Sequence, residues 1–212
     1  MLASRRKEPP PSSHPFNRVR DIARDLGSMG KLYEEITPDL TAWIHQQQVF
    51  FVATSPLAAT GHVNASPKGL DCFRVVNPRQ VAYLDVTGSG AETIAHVREN
   101  GRIVLMFCAF SGPPKIVRLH GQGTIIARSS PDWSAWCGRF PTIEAPRSVV
   151  VVDVLRVSDS CGYGVPRMDF KEDRNAMARW AATKGPAALP AYRLEKNTQS
   201  IDGLPALDSG DA

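Results

Sequence analysis

Three short stretches of this chain carry residue types suited to holding an anion. The first is Thr87-Gly88-Ser89-Gly90, set just before a helical pattern. Free amides at a helix start, together with the helix dipole, favour a phosphate. The two glycines let the backbone approach closely, and the two hydroxyls add neutral donors. The second stretch is Ser66-Pro67-Lys68-Gly69, which puts a lysine on a turn as a point charge. The third is Lys115-Ile116-Val117-Arg118-Leu119-His120-Gly121. Strand alternation there sets Lys115, Val117, Leu119 and Gly121 against Ile116, Arg118 and His120. Singly, each stretch also fits a plain capped helix, a solvated lysine or an ordinary strand. No G-x-G-x-x-G fingerprint is present, because the third glycine is missing.

The elements that must position these residues are short strands with sparse helices. Thr37-Pro38 reads as an N-cap followed by proline at the first helical position, with Leu40, Trp43 and Ile44 on one face. Val49–Ser55, His62–Ser66, Val81–Val86, Ile103–Phe110, Lys115–Ala127 and Arg147–Val157 read as strands. Gly121 and Gly123 suit a bulge or a tight bend. Ser89-Gly90-Ala91-Glu92 fits a capping box, and the helix after it stops at Asn100-Gly101. Ser130-Pro131 starts a short helix bearing Trp133 and Trp136. A later helix bears Met177 and Trp180, and a polar tail follows it. The order predicts a mainly β fold, an antiparallel split barrel of Greek-key type with a few peripheral helices.

The chain has 212 residues, 42% of them hydrophobic and 22% charged, which fits one globular domain with appendages. The formal net charge is +4, and Met1–Ser28 carries six basic residues against three acidic ones. The basic excess therefore sits in a Pro- and Ser-rich extension rather than on the folded domain, which argues against a nucleic-acid groove. We expect residues 1–28 to be a disordered arm, residues 29–165 the barrel, and residues 166–212 a C-terminal helix and tail. Met29 opens M-G-K-L-Y-E-E-I, which reads like a protein start. Cys72, Cys108, Cys137 and Cys161 form no C-x-x-C pair, so no structural metal site is expected. No apolar run reaches the roughly 20 residues of a membrane helix. A reducing cytoplasm is the expected compartment.

Taken together, the three stretches resemble the pyridoxamine 5'-phosphate oxidase-like family of FMN-binding split barrels, over roughly Thr37 to Val157. The chain looks like the less characterised bacterial branch. The resemblance implies a homodimer with FMN at the subunit interface and a small-molecule substrate. It implies that Ser66, Lys68, Thr87, Gly88, Ser89, Gly90, Lys115 and Arg118 bind the cofactor, and that Tyr83 joins Thr87 along the ribityl path. K-I-V-R-L-H-G at Lys115–Gly121 is similar to the family's R-Q-V-R-V-x-G along the flavin ring. Asn100-Gly101 stands where the family has Asn-Pro.

Three departures separate this chain from the B6 oxidases. The family's Arg-Lys pair at the phosphate helix is replaced by Gly90, Ala91 and Glu92, leaving Lys68, Arg74 and Arg118 to balance the charge. Ile116 replaces a flavin-contacting glutamine. The C-terminal Trp and Arg motif that grips pyridoxal phosphate is not recognisable. The resemblance therefore implies an FMN-dependent oxidoreductase of unknown substrate, with no residue marked as general acid or base. The alternatives are a non-catalytic barrel binding haem or deazaflavin, for which His62, His96 and His120 offer axial ligands, and a small protein-interaction barrel.

Overall fold

The computed structural model describes residues 30–211; the expected N-terminal arm lies outside them. The element order is β1 (Leu32–Tyr33), α1 (Pro38–His45), β2 (Phe50–Thr54), β3 (Asn64–Lys68), β4 (Phe73–Asn77), β5 (Gln80–Val86), α2 (Glu92–Asn100), β6 (Arg102–Cys108), β7 (Ile116–Ala127), α3 (Trp133–Cys137), β8 (Pro146–Ser160), α4 (Ala176–Lys184) and α5 (Ala188–Lys196). A 3-10 turn, Ser209–Asp211, ends the described chain.

The strands form one eight-stranded sheet in the order β3-β2-β6-β7-β8-β5-β4, with β1 paired to β8. Every pairing is antiparallel. β8 runs 15 residues, long enough for its first half to pair with β5 and its end with β1, while β7 lines its other edge. The sheet does not close. Its two edge strands, β3 and β4, are consecutive in the chain, so the linker Gly69–Cys72 spans the split. Leu70 in that linker holds φ +65°, a conformation that costs a leucine energy. The expected antiparallel split barrel is thus the observed fold.

Period-two alternation builds the interior. Phe50, Val52 and Thr54 of β2 face inward and pair in register with Phe107, Leu105 and Ile103 of β6. Phe50, Phe73, Phe107 and Tyr83 meet at the centre, with ring centroids 5.0 to 5.7 Å apart. The register of β7 against β8 slips between His120 and Gly121, the bulge that the glycines foretold.

Local chemistry sets the helix ends. Thr37 caps α1, its Oγ1 accepting from the Leu40 amide at 3.2 Å, with Pro38 first in the helix. Gly101 ends α2 in the left-handed region at φ +71°. The capping box does not form: Ala91 occupies the N-cap position of α2, and no side chain caps it. Ser89 lies too far upstream, because the helix starts at Glu92.

The C-terminal region is more ordered than the polar tail expected of it. α5 follows α4, and Ala206 and Leu207 then pack against Ala91, Ile94 and Ala95 of α2 as a second small core. Arg98 fastens the same segment through Asp208 and Asp211, each at 3.0 Å.

Candidate functional site

Two turns and one side-chain cluster meet where the sheet splits. β5 ends at Val86, and Thr87–Gly90 then turns into α2. Across the split, β3 ends at Lys68 and the linker begins. Between them lies a cavity of about 630 Å³, a size typical of ligand sites. Ser66, Lys68, Thr87, Gly88, Ser89 and Gly90 all line it. Six of the nine residues expected at a cofactor therefore come together at one place.

The other three lie elsewhere. Tyr83, expected along the ribityl path, is fully buried in the barrel core against Phe50 and does not line this cavity. Its neighbours from Val81 to Asp85 are all buried, so both faces of β5 are covered. Lys115 sits over the Trp43 ring, 5.3 Å from its centroid, and 3.9 Å from Asp159. Arg118 donates to Ser160 Oγ at 2.8 Å. Neither lines this cavity. Arg74, a candidate for charge balance, pairs instead with Asp71 and lies over Phe140.

A buried ionic triad underlies the cavity. Asp85 is 1% exposed. Its Oδ1 accepts from Lys68 Nζ at 2.8 Å and its Oδ2 from Arg147 Nε at 2.7 Å. Burial alone would raise the Asp85 pKa, but Arg147 and then Lys68 outweigh it and hold the carboxyl down at about 2. Two cations share one carboxylate, so the triad carries one excess positive charge. Arg147 also donates to the Gly90 carbonyl at 2.7 Å, which ties the turn to the triad.

The turn itself offers unused donors. The amides of Gly88, Ser89 and Gly90 make no hydrogen bond to the described residues, whereas the Thr87 amide is taken by the Ala145 carbonyl at 2.9 Å. The Glu92 carboxylate folds back over Gly90, lying against the start of its own helix. An acidic group thus already rests near the seat an exogenous anion would use.

α5 closes the back of the turn. Arg193 Nε donates to Thr87 Oγ1 at 2.9 Å, and Asn197 Nδ2 donates to the Gly88 carbonyl at 2.9 Å. Met177 of α4 and Ile201 of the C-terminal segment add apolar surface to the cavity wall. Sequence reasoning did not identify Asp85, Arg147, Arg193 or Asn197. The signal for two of them was present: Asp85 and Arg147 are charges set in or beside dense apolar strands, V-A-Y-L-D-V and R-S-V-V-V-V. A charge buried in such a strand needs a partner.

None of the three histidines offered for haem lines this cavity. His96 is fully buried with Nδ1 3.0 Å from Thr54 Oγ1, and His62 Nδ1 lies 2.6 Å from Asp202. His120 is exposed on β7, away from the cavity.

Comparison with known proteins places residues 36–161 within a match to the model of the pyridoxamine 5'-phosphate oxidase family. A curated relative from Aspergillus flavus, the pyridoxamine 5'-phosphate oxidase family protein ustO, is 38% identical over 194 residues, spanning 84% of this chain and 78% of the relative. Among solved structures, HupZ of Group A Streptococcus is 23% identical, covers 57% of this chain and 91% of its own, and superposes with a TM-score of 0.47. An FAD-binding protein of Mesorhizobium loti is 13% identical, covers 62% of this chain and 97% of its own, with a TM-score of 0.39. At these values the likeness to solved structures concerns the fold alone.

Proposed function

This chain belongs to the pyridoxamine 5'-phosphate oxidase family, and on that premise we propose that it is an FMN-dependent oxidoreductase acting on a small-molecule substrate. The observation that carries the reading is the cavity at the split. It joins three amides, at Gly88, Ser89 and Gly90, that are unpaired among the described residues, to a buried triad with one excess positive charge. Those donors fit a phosphate, and a volume of about 630 Å³ leaves room for the rest of a mononucleotide.

When bound, the flavin would supply the hydride chemistry. The chain's own residues would bind and orient it. The turn amides and Lys68 would hold the phosphate. Asp85 would fix Lys68, keeping its ammonium from swinging into solvent. Met177 and Ile201 would exclude water from the opposite wall. None of these groups is placed to move a proton, and hydride transfer depends more on orientation than on a proton relay.

A homodimer is part of the proposal. Phe51 of β2 and Met106 of β6 are paired in register on the outward sheet face and are only half-buried in one chain. A second copy covering that face would also bring Arg118, in register with Met106, to an interface. No helix among the described residues is long and apolar enough to cross a membrane. All four cysteines are unpaired, which suits the reducing cytoplasm proposed as the compartment.

The test is the absorbance spectrum of the purified protein, with heat release and identification of any chromophore, beside light scattering for the mass in solution. Flavin bands resolving to FMN on a dimer are the expected result. A Soret band, or a colourless protein that ignores added FMN, overturns the cofactor assignment.

A further inference from the structure

Among the described residues, Arg193 is a buried cation without a carboxylate. It lies on α5 and is 3% exposed. Its Nε donates to Thr87 Oγ1 at 2.9 Å and its Nη2 to the Pro146 carbonyl at 3.3 Å. Among the described residues it joins no ion pair. The charges felt at Arg193 are like charges. Burial, then Arg128 and Arg147, lower its pKa to about 10. Withdrawing a guanidinium from water beside two other cations is costly unless an anion is also close.

Thr87, the residue that Arg193 grips, lines the cavity. Thr87 spends its hydroxyl proton on the Ala145 carbonyl at 2.8 Å, so its oxygen is free only to accept from Arg193. One turn further along α5's end, Asn197 grips the next residue through the Gly88 carbonyl, while its own buried Oδ1 has no partner. α5 therefore holds two consecutive residues of the turn from behind, and both residues line the cavity. α5 also lies outside residues 36–161, the stretch that matches the family model.

We propose that α5, beyond the stretch that matches the family model, is a phosphate-reading element: Arg193, acting through Thr87, supplies positive charge behind the turn and makes the cavity select ligands that end in a phosphate monoester. The inference rests on the reading of the turn as a phosphate seat. Arg193 is a positioning residue. It does not line the cavity, and its charge reaches the ligand across one hydroxyl. This also answers how a helix start that carries Gly90, Ala91 and Glu92 balances two negative charges.

The experiment measures dissociation constants of FMN and riboflavin, by flavin fluorescence, for the full chain, Arg193→Met and Arg193→Lys. The wild type should favour FMN by about a hundredfold or more, and Arg193→Met should weaken FMN about ten- to hundredfold while riboflavin changes less than about threefold. Arg193→Lys should recover part of the loss, since it restores charge without the planar fork. Equal weakening of both ligands marks a merely structural brace and overturns the inference. A wild type that does not distinguish the two flavins overturns it as well, while leaving flavin binding intact.

If the wild type binds neither flavin, the flavin reading fails, and inorganic phosphate decides the inference. A melting temperature raised by phosphate in the wild type but not in Arg193→Met sustains it, and no rise overturns it. If Arg193→Met does not fold, amide exchange in the wild type gives the answer. FMN should slow exchange across Ala188–Lys196 more than riboflavin does, and equal protection overturns the inference.

Discussion

Lys68 and Asp85 bridge the split of the barrel: Nζ lies 2.8 Å from Oδ1, across a gap that no backbone ladder closes. Lys68 ends the edge strand β3, and Asp85 sits near the end of β5, beside the opposite edge. The pair does two jobs at once. It joins the sheet's margins, and it aims an ammonium at the cavity. Arg147 completes the arrangement from β8, its side chain also buried.

Replacing Asp85 with Asn leaves Lys68 and Arg147 facing each other without a carboxylate. Breaking a buried ion pair from one side costs about 3–5 kcal/mol. Urea unfolding should show that loss. The pH dependence gives a second sign. The folded pKa is depressed, to about 2. The contribution is therefore complete above the unfolded value of about 3.9 and is lost as pH falls from there toward about 2. The Asn variant should lack this part of the acid limb. An unchanged acid limb would mean that the triad does not form.

Replacing Gly121 with Ala should damage the sheet. A Cβ there runs into the Asp153 carbonyl oxygen and comes within 2.8 Å of Val152 Cγ1. The bulge between β7 and β8 leaves no room to retreat, because backbone is the obstacle. A loss of about 2 kcal/mol or more is expected in denaturant melts. A neutral result would place the bulge elsewhere.

What the sequence disclosed follows the reach of each signal. Thr37-Pro38 marked the start of α1 and Asn100-Gly101 the end of α2, because caps are written in adjacent residues. Gly121 marked the bulge for the same reason. The capping box failed by a small shift of the helix start, which only packing determines. β4 escaped notice because Phe-Arg-Val-Val-Asn is a short run, with a charge inside it and Pro78 directly after it. The site was half legible. Thr87 to Gly90 announced themselves by turn chemistry, whereas Ser66 to Lys68, read as the edge of a turn, end strand β3. Arg147 and Arg193 did not name their partners, which lie 62 and 106 residues away in sequence. Tyr83 and Asp85 share a β5 face that is buried throughout, so alternation could not tell core from cavity wall.

Glu92 provides a test of the anion seat that leaves the triad intact. Its carboxylate lies over Gly90, near the unpaired amides. A phosphate entering there meets like charge or must displace it. Glu92→Gln removes the charge while keeping the shape. FMN affinity should rise several-fold, consistent with a charge effect of about 0.3–1 kcal/mol at a helix start, and riboflavin affinity should hold. A fall in FMN affinity would show that the carboxylate holds the turn rather than competing for it.

Leu207 decides whether the C-terminal segment belongs to the folded unit. It is 3% exposed and packs with Ala206 onto Ala91, Ile94 and Ala95 of α2. That contact sits behind the helix whose start forms the cavity. Leu207→Ala empties a site with little surrounding mass to collapse into it, so a loss of about 2–3 kcal/mol is expected. Because the same segment carries Ile201 to the cavity wall, ligand affinity should fall along with stability. A loss below about 0.5 kcal/mol, the range of surface substitutions, would make the segment an appendage and detach it from the site. Guanidinium melts with and without ligand measure both quantities on one sample.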